Sequence, residues 1–384
     1  RYIGVNDHDI DLFEGQYDVS ENGMSYNSYV ILSDKVAVAD TVDAHFVDEW
    51  LGNLEAVLDG RTPDYLIVHH MEPDHSAGIA AFMERYPEAQ VVSSAMAFKM
   101  MKNYFGTDFA GRSVVVKEGS ELDLGAHKLA FVAAPNVHWP EVMFSYDAHD
   151  KVLFSADGFG KFGANDIEDP EGWACEARRY YFGIVGKFGK NVQAVLKKAA
   201  GLDIQVICPL HGPVWRKDLG WFIEKYDTWS RYAPETQGVL IVYASMYGNT
   251  ENAAQALATS LCDKGMSKVA MYDVSSTHVS QLISEAFKYS HIVLASVTYN
   301  LGIYPAMHDF LMDMKALNLQ NRTFAIIENG SWAVKSGDLM QKFVNNELKN
   351  MTVLNERLSL ASSMGTDKRT ELEALADAIL ESMK

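Results

Sequence analysis

The chain has 384 residues, of which 48% are hydrophobic and 22% are charged. This length exceeds what one hydrophobic core usually organises, so we expect two domains, and the composition excludes a mostly disordered protein. With 33 basic and 51 acidic residues the net charge is −18, and such a surface repels phosphate backbones and anionic lipids. We therefore expect neither nucleic acid nor a membrane as a partner.

Other features of the sequence indicate a cytoplasmic protein. No apolar run approaches the roughly 20 residues that cross a bilayer, and the acidic first residues, with Asp7, Asp9 and Asp11, lack the apolar stretch of a signal peptide. The three cysteines lie far apart without a C-x-x-C pair. This spacing excludes a disulfide framework and a self-contained cysteine metal site.

The first part of the chain, residues 1–234, contains many short apolar segments. Strands are predicted at 29–32, 36–39, 65–68, 91–93, 113–116, 128–133, 152–155 and 206–208. Helices are predicted near 44–58, 76–86, 95–104, 174–200 and 218–231. Short strands with helices between them indicate an α/β domain in which two stacked sheets are covered by helices.

A linker is predicted at residues 229–238, which lack apolar periodicity and contain Pro234 and Gly238. It separates the first domain, 1–234, from a second domain, 235–384, and both are of ordinary domain size. In the second domain, strands at 239–244, 268–274, 291–297, 323–328 and 351–360 alternate with helices near 251–264, 278–289, 305–316, 337–349 and 368–383. This alternation predicts a doubly wound, five-stranded parallel sheet.

Histidines and carboxylates follow the predicted strand 65–68, in the run His69-His70-Met71-Glu72-Pro73-Asp74-His75. Burying these side chains together without a cation would cost free energy of folding, and a bound metal ion removes that cost. In an extended chain, His70, Glu72 and Asp74 would project the same way because they differ by two positions. The alternative is a polar surface turn.

Three further candidate ligands, His138, Asp157 and His211, come after other apolar strands. If the ends of these strands lie at one edge of the domain, the three side chains are brought together there. One metal cannot use so many ligands, whereas two metals that share Asp157 as a bridge can. The candidate set is His70, Glu72, Asp74, His75, His138, Asp157 and His211.

Three strand ends of the second domain carry hydroxyl, amide, glycine and aromatic residues, and ligands of doubly wound sheets bind at such ends. The first precedes a predicted helix N-terminus, which suits a phosphate, although a capped helix start is the alternative. Tyr299 and Trp332 are suited to stacking on a flat ring. The candidate residues for binding such a ligand are Ser245, Met246, Tyr247, Gly248, Asn249 and Thr250; Ser296, Val297, Thr298, Tyr299, Asn300 and Gly302; and Glu328, Asn329, Gly330, Ser331 and Trp332.

These motifs resemble those of known families. Residues 238–384 resemble flavodoxin, which binds FMN, and the resemblance makes Ser245–Thr250 the phosphate loop. The histidine and carboxylate set resembles the metallo-β-lactamase fold, an αββα sandwich with the motif H-x-H-x-D-H. Here Glu72 replaces the second histidine, and a carboxylate in place of imidazole shifts the preference from zinc towards iron. Together the two halves resemble the flavodiiron proteins over essentially the whole chain.

This resemblance implies the roles of the ligands. His70, Glu72 and His138 are expected on one iron, and Asp74, His75 and His211 on the other, with Asp157 as the bridge. The histidine at the position of His75 is a ligand in only some family members. The resemblance also makes Tyr26 and Tyr181 candidates to line a pocket for a gas, with core packing as the alternative. His69, His127 and His149 have no motif position and are expected to be structural or surface residues.

The resemblance implies an oxidoreductase in which reduced FMN supplies a di-iron centre that reduces dioxygen to water, nitric oxide to nitrous oxide, or both. Electrons are expected from a separate donor, a rubredoxin or another small protein, or from reduced coenzyme F420, as in the F420H2 oxidases of the family. The expected assembly is a head-to-tail homodimer, with a dimer of dimers as the alternative. Two other hypotheses are a zinc hydrolase with an attached flavodoxin and an electron carrier whose first domain is a scaffold.

Overall fold

The computed structural model describes residues 1–167 and 173–384, and the chain divides into two compact units, Arg1–Ser230 and Arg231–Lys384. In the part of the chain that is described, none of the helices combines the length and the apolar character needed to cross a membrane.

The first unit contains two sheets of five strands, with orders β5-β6-β7-β8-β9 and β10-β11-β12-β13-β14. The pairs β1-β4 and β2-β3 form two small antiparallel sheets. The strands are β1 Val5–Asp7, β2 Leu12–Phe13, β3 Tyr17–Asp18, β4 Met24–Tyr26, β5 Tyr29–Leu32, β6 Val36–Ala39, β7 Tyr65–Ile67, β8 Gln90–Ser94, β9 Ser113–Val116, β10 Glu121–Asp123, β11 Lys128–Ala133, β12 Met143–Asp147, β13 Val152–Phe154 and β14 Val206–Cys208.

The helices of this unit are α1 Val47–Leu58, α2 Pro73–Ser76, α3 Ile79–Arg85, α4 Ala95–Phe105, α5 Trp173–Tyr180, α6 Gly189–Ala199 and α7 Leu219–Ser230. Apolar side chains of the two sheets meet in one core; Ile67 and Val92 come from the first sheet and Phe131 and Phe154 from the second. The expected sandwich of two sheets is therefore confirmed.

The continuous helix expected near 174–200 is interrupted in the structure. Between α5 and α6 the chain forms a π turn, Tyr181–Val185, and a 3-10 turn, Gly186–Phe188. Glycine is a poor helix former, and a Cβ added at Gly183 would lie 2.7 Å from the ring of Tyr17. The Tyr17 hydroxyl donates to the Gly183 carbonyl at 2.8 Å, so this close approach requires glycine.

The second unit contains strands β15 Thr236–Ala244, β16 Val269–Asp273, β17 Tyr289–Tyr299, β18 Gly302–Ile303, β19 Thr323–Asn329 and β20 Thr352–Leu360. Its helices are α8 Asn249–Asp263, α9 Val279–Lys288, α10 Pro305–Ala316, α11 Ser336–Glu347 and α12 Arg369–Glu381. The parallel strands follow the order β16-β15-β17-β19-β20. This is the 2-1-3-4-5 order of flavodoxin-like sheets, and it confirms the expected fold.

Burial on both faces explains the apolar sequence of the central strand β15. Val239 and Ile241 pack against α8 and α12 on one face, while Leu240 and Val242 point to the other, and all four side chains are fully buried. Parallel strands covered by helices on both faces read as continuous apolar runs. The predicted linker 229–238 is shorter in the structure, because α7 continues to Ser230 and β15 begins at Thr236.

Candidate metal centre and flavin site

The segment after β7 places its polar side chains through a change from extended chain to helix. Glu72 is extended (φ −60°, ψ 140°) and is the N-cap of α2, whose first residue is Pro73. Proline suits this position because its missing N–H has no helical partner there. The structure therefore differs from the extended run that we expected, because the turn of α2 directs Asp74 and His75 to a different group from His70 and Glu72.

The first group consists of His70, Glu72, His138 and Asp157. His70 Nε2 lies 3.2 Å from Glu72 Oε2 and 3.3 Å from His138 Nε2. His138 Nε2 lies 3.0 Å from Glu72 Oε2. Two imidazole nitrogens and a carboxylate oxygen thus converge on one point.

The second group consists of Asp74, His75 and His211. His75 Nε2 lies 2.9 Å from His211 Nε2, and Asp74 Oδ2 lies 3.2 Å from both nitrogens. His75 and His211 are 136 positions apart in the sequence. The side chain of His75 therefore takes part in this group rather than pointing away from it.

Asp157 belongs to both groups through different oxygens. Its Oδ2 lies 3.3 Å from His70 Nε2 and 3.1 Å from His138 Nε2. Its Oδ1 lies 3.2 Å from His75 Nε2 and 3.8 Å from His211 Nε2. The preceding residue, Ala156, has a left-handed backbone (φ 45°), which is uncommon for a residue with a side chain and is typical of functional sites. The structure thus brings all seven candidate ligands together.

The donor chemistry of the two groups fits cations. Within the described residues, both carboxylate oxygens of Asp74 and Oδ1 of Asp157 are buried without a hydrogen-bond donor. Burial alone would lower the pKa of His138, but the carboxylates of Asp157 and Glu72 outweigh it and raise that pKa to about 9. Buried carboxylates and imidazoles that influence one another in this way are the ligand types that bound cations would balance.

Two contacts that orient candidate ligands were not predicted from the sequence. Glu141 Oε1 accepts hydrogen bonds from His70 Nδ1 at 2.8 Å and from the Met71 N–H at 2.9 Å. The Ser25 carbonyl lies 2.7 Å from His211 Nδ1. Such partners fix the ring so that Nε2 faces the metal. The only sequence signal for Glu141 was its position three residues after His138.

The two tyrosines named as pocket candidates lie in different surroundings, and Tyr181 follows the core-packing alternative. The ring of Tyr26 lies 6.0 Å from that of His211, but Tyr181 packs into the core against Tyr226 and Trp229. Its neighbour Tyr180 lies 5.6 Å from the His211 ring instead. Burial and the nearby Asp157 carboxylate raise the pKa of Tyr180 well above its usual value, so its phenol stays protonated.

Another residue near the first group, Glu14, carried no sequence signal. It lies in the turn between β2 and β3. Glu14 as a residue is exposed, but partial loss of solvent around its carboxyl, together with the nearby carboxylate of Glu72, raises its pKa above the usual value. His69, in contrast, is a buried structural residue as expected, because its ring lies between Asp40 Oδ2 at 2.6 Å and Ser145 Oγ at 2.8 Å.

In the second unit, the ends of β15, β17 and β19 surround a cavity of about 370 Å³. Of the candidate flavin residues, those that line it are Ser245, Met246, Tyr247, Asn249, Thr250, Val297, Thr298, Tyr299, Asn300, Asn329, Gly330, Ser331 and Trp332. Gly248, Ser296, Gly302 and Glu328 do not line it, whereas Ala333 and Ser362, which the sequence did not suggest, do.

Backbone geometry and hydrogen bonds around the cavity shape its loops. Gly248 has a left-handed backbone (φ 85°) directly before α8, and its N–H donates to Ser245 Oγ at 3.1 Å. Glu328 is turned away and accepts from the Gly337 N–H at 3.0 Å. Asn329 Nδ2 donates to the Ser362 carbonyl at 2.7 Å. This hydrogen bond holds the loop after β20 beside the end of β19.

The cavity presents an open face with exposed aromatic rings. Trp332 is 77% exposed and Tyr299 is 40% exposed. Exposed aromatic rings that lie together at the rim of a cavity are typical of a ligand-binding site. With the N-terminus of α8 beside it, the cavity suits a flat ring that carries a phosphate.

Both halves of the chain match known families. Residues 24–212 match the family described as ODP family beta lactamase, and residues 241–371 match flavodoxin. The chain is 32% identical to a nitric oxide reductase of Moorella thermoacetica over 356 residues, which cover 91% of this chain and 87% of that protein. It is 30% identical to an anaerobic nitric oxide reductase flavorubredoxin of Aeromonas hydrophila, with 89% and 70% covered.

Solved structures agree with these matches. The rubredoxin oxygen:oxidoreductase of Desulfovibrio gigas superposes with a TM-score of 0.90 at 27% identity, covering 100% of this chain and 96% of that one. The flavodiiron protein of Giardia intestinalis superposes with a TM-score of 0.89 at 23% identity, over 100% and 95% of the chains, and shows the same fold.

An αββα domain that gathers seven histidine and carboxylate candidate ligands, followed by a flavodoxin domain, defines a class of oxidoreductases with FMN and a di-iron centre as cofactors. The chain belongs to the flavodiiron protein family.

Proposed function

We propose that the chain reduces dioxygen to water, nitric oxide to nitrous oxide, or both, at a di-iron centre supplied with electrons by FMN. The relatives named above support both gases as substrates. The observation that carries the proposal is the position of Asp157. Its two carboxylate oxygens face two separate groups of candidate ligand atoms.

In this assignment His70, Glu72 and His138 hold one iron, and Asp74, His75 and His211 hold the other, with Asp157 shared. When bound, FMN and a diferrous pair together supply the four electrons that convert dioxygen to water, or two for each pair of nitric oxide molecules. Glu141 and the Ser25 carbonyl hold His70 and His211 in the orientation that a metal needs. Tyr26 and Tyr180 place phenol rings beside the His211 ring.

FMN is assigned to the cavity at the ends of β15, β17 and β19. The Ser245–Thr250 loop, at the N-terminus of α8, suits the phosphate, and Tyr299 and Trp332 suit the isoalloxazine ring. Electrons are proposed to come from rubredoxin or another small donor protein. The working assembly is proposed to be a head-to-tail homodimer in which the flavin of each chain serves the irons of the other.

The proposal predicts about two irons and one FMN per chain in the purified protein, because seven ligands and one flavin cavity are present. The experiment is anaerobic turnover of the photoreduced protein with each gas in parallel, with iron and flavin content measured on the same sample. Consumption of at least one gas is expected. Two zinc ions at full occupancy after growth in iron-replete medium, with hydrolase turnover, would support the zinc hydrolase instead.

Replacing Glu141 with alanine is expected to weaken iron binding about 10- to 100-fold, because His70 loses the carboxylate that orients its ring. Competition with a ferrous chelator measures the affinity. The iron affinity of Glu141→Gln should lie between those of the parent protein and Glu141→Ala, because the amide oxygen of glutamine still accepts a hydrogen bond from His70. The matched control is Glu88→Ala, at an exposed glutamate. Unchanged iron affinity in a folded Glu141→Ala protein would contradict the orienting role.

Replacing Trp332 with alanine is expected to weaken FMN binding by about 1 to 2 kcal/mol, roughly 5- to 30-fold, because a stacking surface is lost. Flavin fluorescence titration of the flavin-free protein gives the dissociation constant. Trp221→Ala is the control, since Trp221 is a partly exposed tryptophan (42%) of the first unit. An equal effect of both substitutions would show that Trp332 does not stack on the flavin.

A further inference from the structure

A third group of potential metal ligands lies in the first unit, apart from the seven proposed iron ligands. It consists of His127, His149 and Asp150, whose ligand atoms lie within 4.8 Å of one another. His127 belongs to the turn between β10 and β11, and the other two belong to the turn between β12 and β13. Asp150 precedes the start of β13, whereas Asp157 follows its end, so the group lies at the opposite end of that strand.

A buried carboxylate organises both turns. Asp147 is only 3% exposed, and its Oδ2 lies 2.7 Å from Nδ1 of His127. Its Oδ1 accepts the backbone N–H of His149 at 3.1 Å. A carboxylate on Nδ1 leaves Nε2 of His127 available as a ligand, which is how metal-binding histidines are commonly oriented.

The two rings have the geometry of a pair already assigned to iron. The ring centroids of His127 and His149 are 4.7 Å apart, with an interplanar angle of 60°. For His75 and His211 the corresponding values are 4.5 Å and 59°. Asp150 Oδ1 lies 2.9 Å from His149 Nδ1, so a carboxylate lies beside one ring of this pair.

We propose that His127, His149 and Asp150 form a binding site for a divalent transition metal ion of the zinc class. Imidazole nitrogens with a carboxylate oxygen are ligands that suit such ions. The side chains of His149 and Asp150 are 57% and 59% exposed, against 14% for His127. The ion therefore binds from solvent, keeps water in its remaining positions, and ties the two turns together.

The test is equilibrium dialysis of the iron- and FMN-loaded protein against zinc chloride, with zinc and iron measured by mass spectrometry. One additional zinc per chain is expected while the iron content stays unchanged, which separates this site from the di-iron centre. His127→Ala and His149→Ala should each weaken zinc binding at least about tenfold. Since His149 is exposed, its replacement is compatible with a folded protein.

The matched control is His45→Ala. His45 Nδ1 lies 2.7 Å from Asp43 Oδ1 on the surface, so it is also a histidine–aspartate pair, but it belongs to none of the three ligand groups found among the described residues. Zinc should also raise the unfolding temperature of the parent protein and of the control, but not of His149→Ala, because ligands stabilise the state that binds them. Absence of an additional zinc, or zinc binding that His127→Ala and His149→Ala leave unchanged, would overturn the proposal.

Discussion

Replacing Asp157 with alanine is expected to remove both irons from the protein while FMN stays bound. The side chain faces His70 and His138 with one oxygen and His75 with the other, so its loss opens both groups at once. The flavin cavity belongs to the other unit and should keep its ligand. Iron and flavin content of the purified variant, with circular dichroism to check the fold, measure the effect.

Two comparison variants make this experiment specific. Asp74→Ala changes only the second group and should lose one iron, whereas Asp203→Ala changes an exposed aspartate paired with Lys151 and should lose none. If Asp157→Ala keeps one iron at full occupancy, the carboxylate is a ligand of a single metal and the bridge is assigned wrongly.

Mixing two inactive variants is expected to restore activity if the flavin of one chain serves the irons of the other. The first variant is Asp157→Ala, which should carry FMN without irons. The second combines Asn249→Ala and Thr250→Ala at the start of α8, and should carry irons without FMN. In a head-to-tail dimer each interface contact occurs twice, so a mixed dimer contains one complete flavin–iron pair. Roughly half the parental activity per mixed dimer is expected, because one of its two pairs is complete.

Co-expression with two different affinity tags isolates the mixed dimers, and turnover of dioxygen or nitric oxide is measured on them. Each variant purified alone is the control and should be inactive. Mixed dimers that remain inactive, although verified to be mixed and correctly loaded, would show that electron transfer takes place within a chain.

The second unit was predicted from the sequence with small errors at the ends of its elements and without the two-residue strand β18. Its strands and helices alternate, and each has a clear apolar pattern, as in Val239–Val242 of β15. Because parallel strands buried on both faces are continuous apolar runs, the local sequence is sufficient to find them. The strand order then follows the few topologies that such alternation allows.

The first unit was predicted less completely. Strands β1 to β4, β10 and β12 were missed, and β12 shows the reason. Its residues Met143–Asp147 are all buried, yet they include Ser145 and Asp147. These polar side chains are satisfied by His69 and His127, which are distant in the sequence. A local pattern cannot distinguish such a strand from a loop, because its burial depends on tertiary partners.

The sequence by itself predicted the candidate iron ligands and most of the residues that line the flavin cavity, because residue chemistry and its place after apolar strands are local properties. Only the tertiary structure decided which atoms meet. It turned Asp74 and His75 away from Glu72 through helix α2, placed the two oxygens of Asp157 against different groups, and supplied Glu141 behind His70. Contacts around the candidate metal centre join residues as distant in the sequence as Ser25 and His211, which are 186 positions apart. Packing of the whole domain fixes such contacts where spacing along the chain cannot.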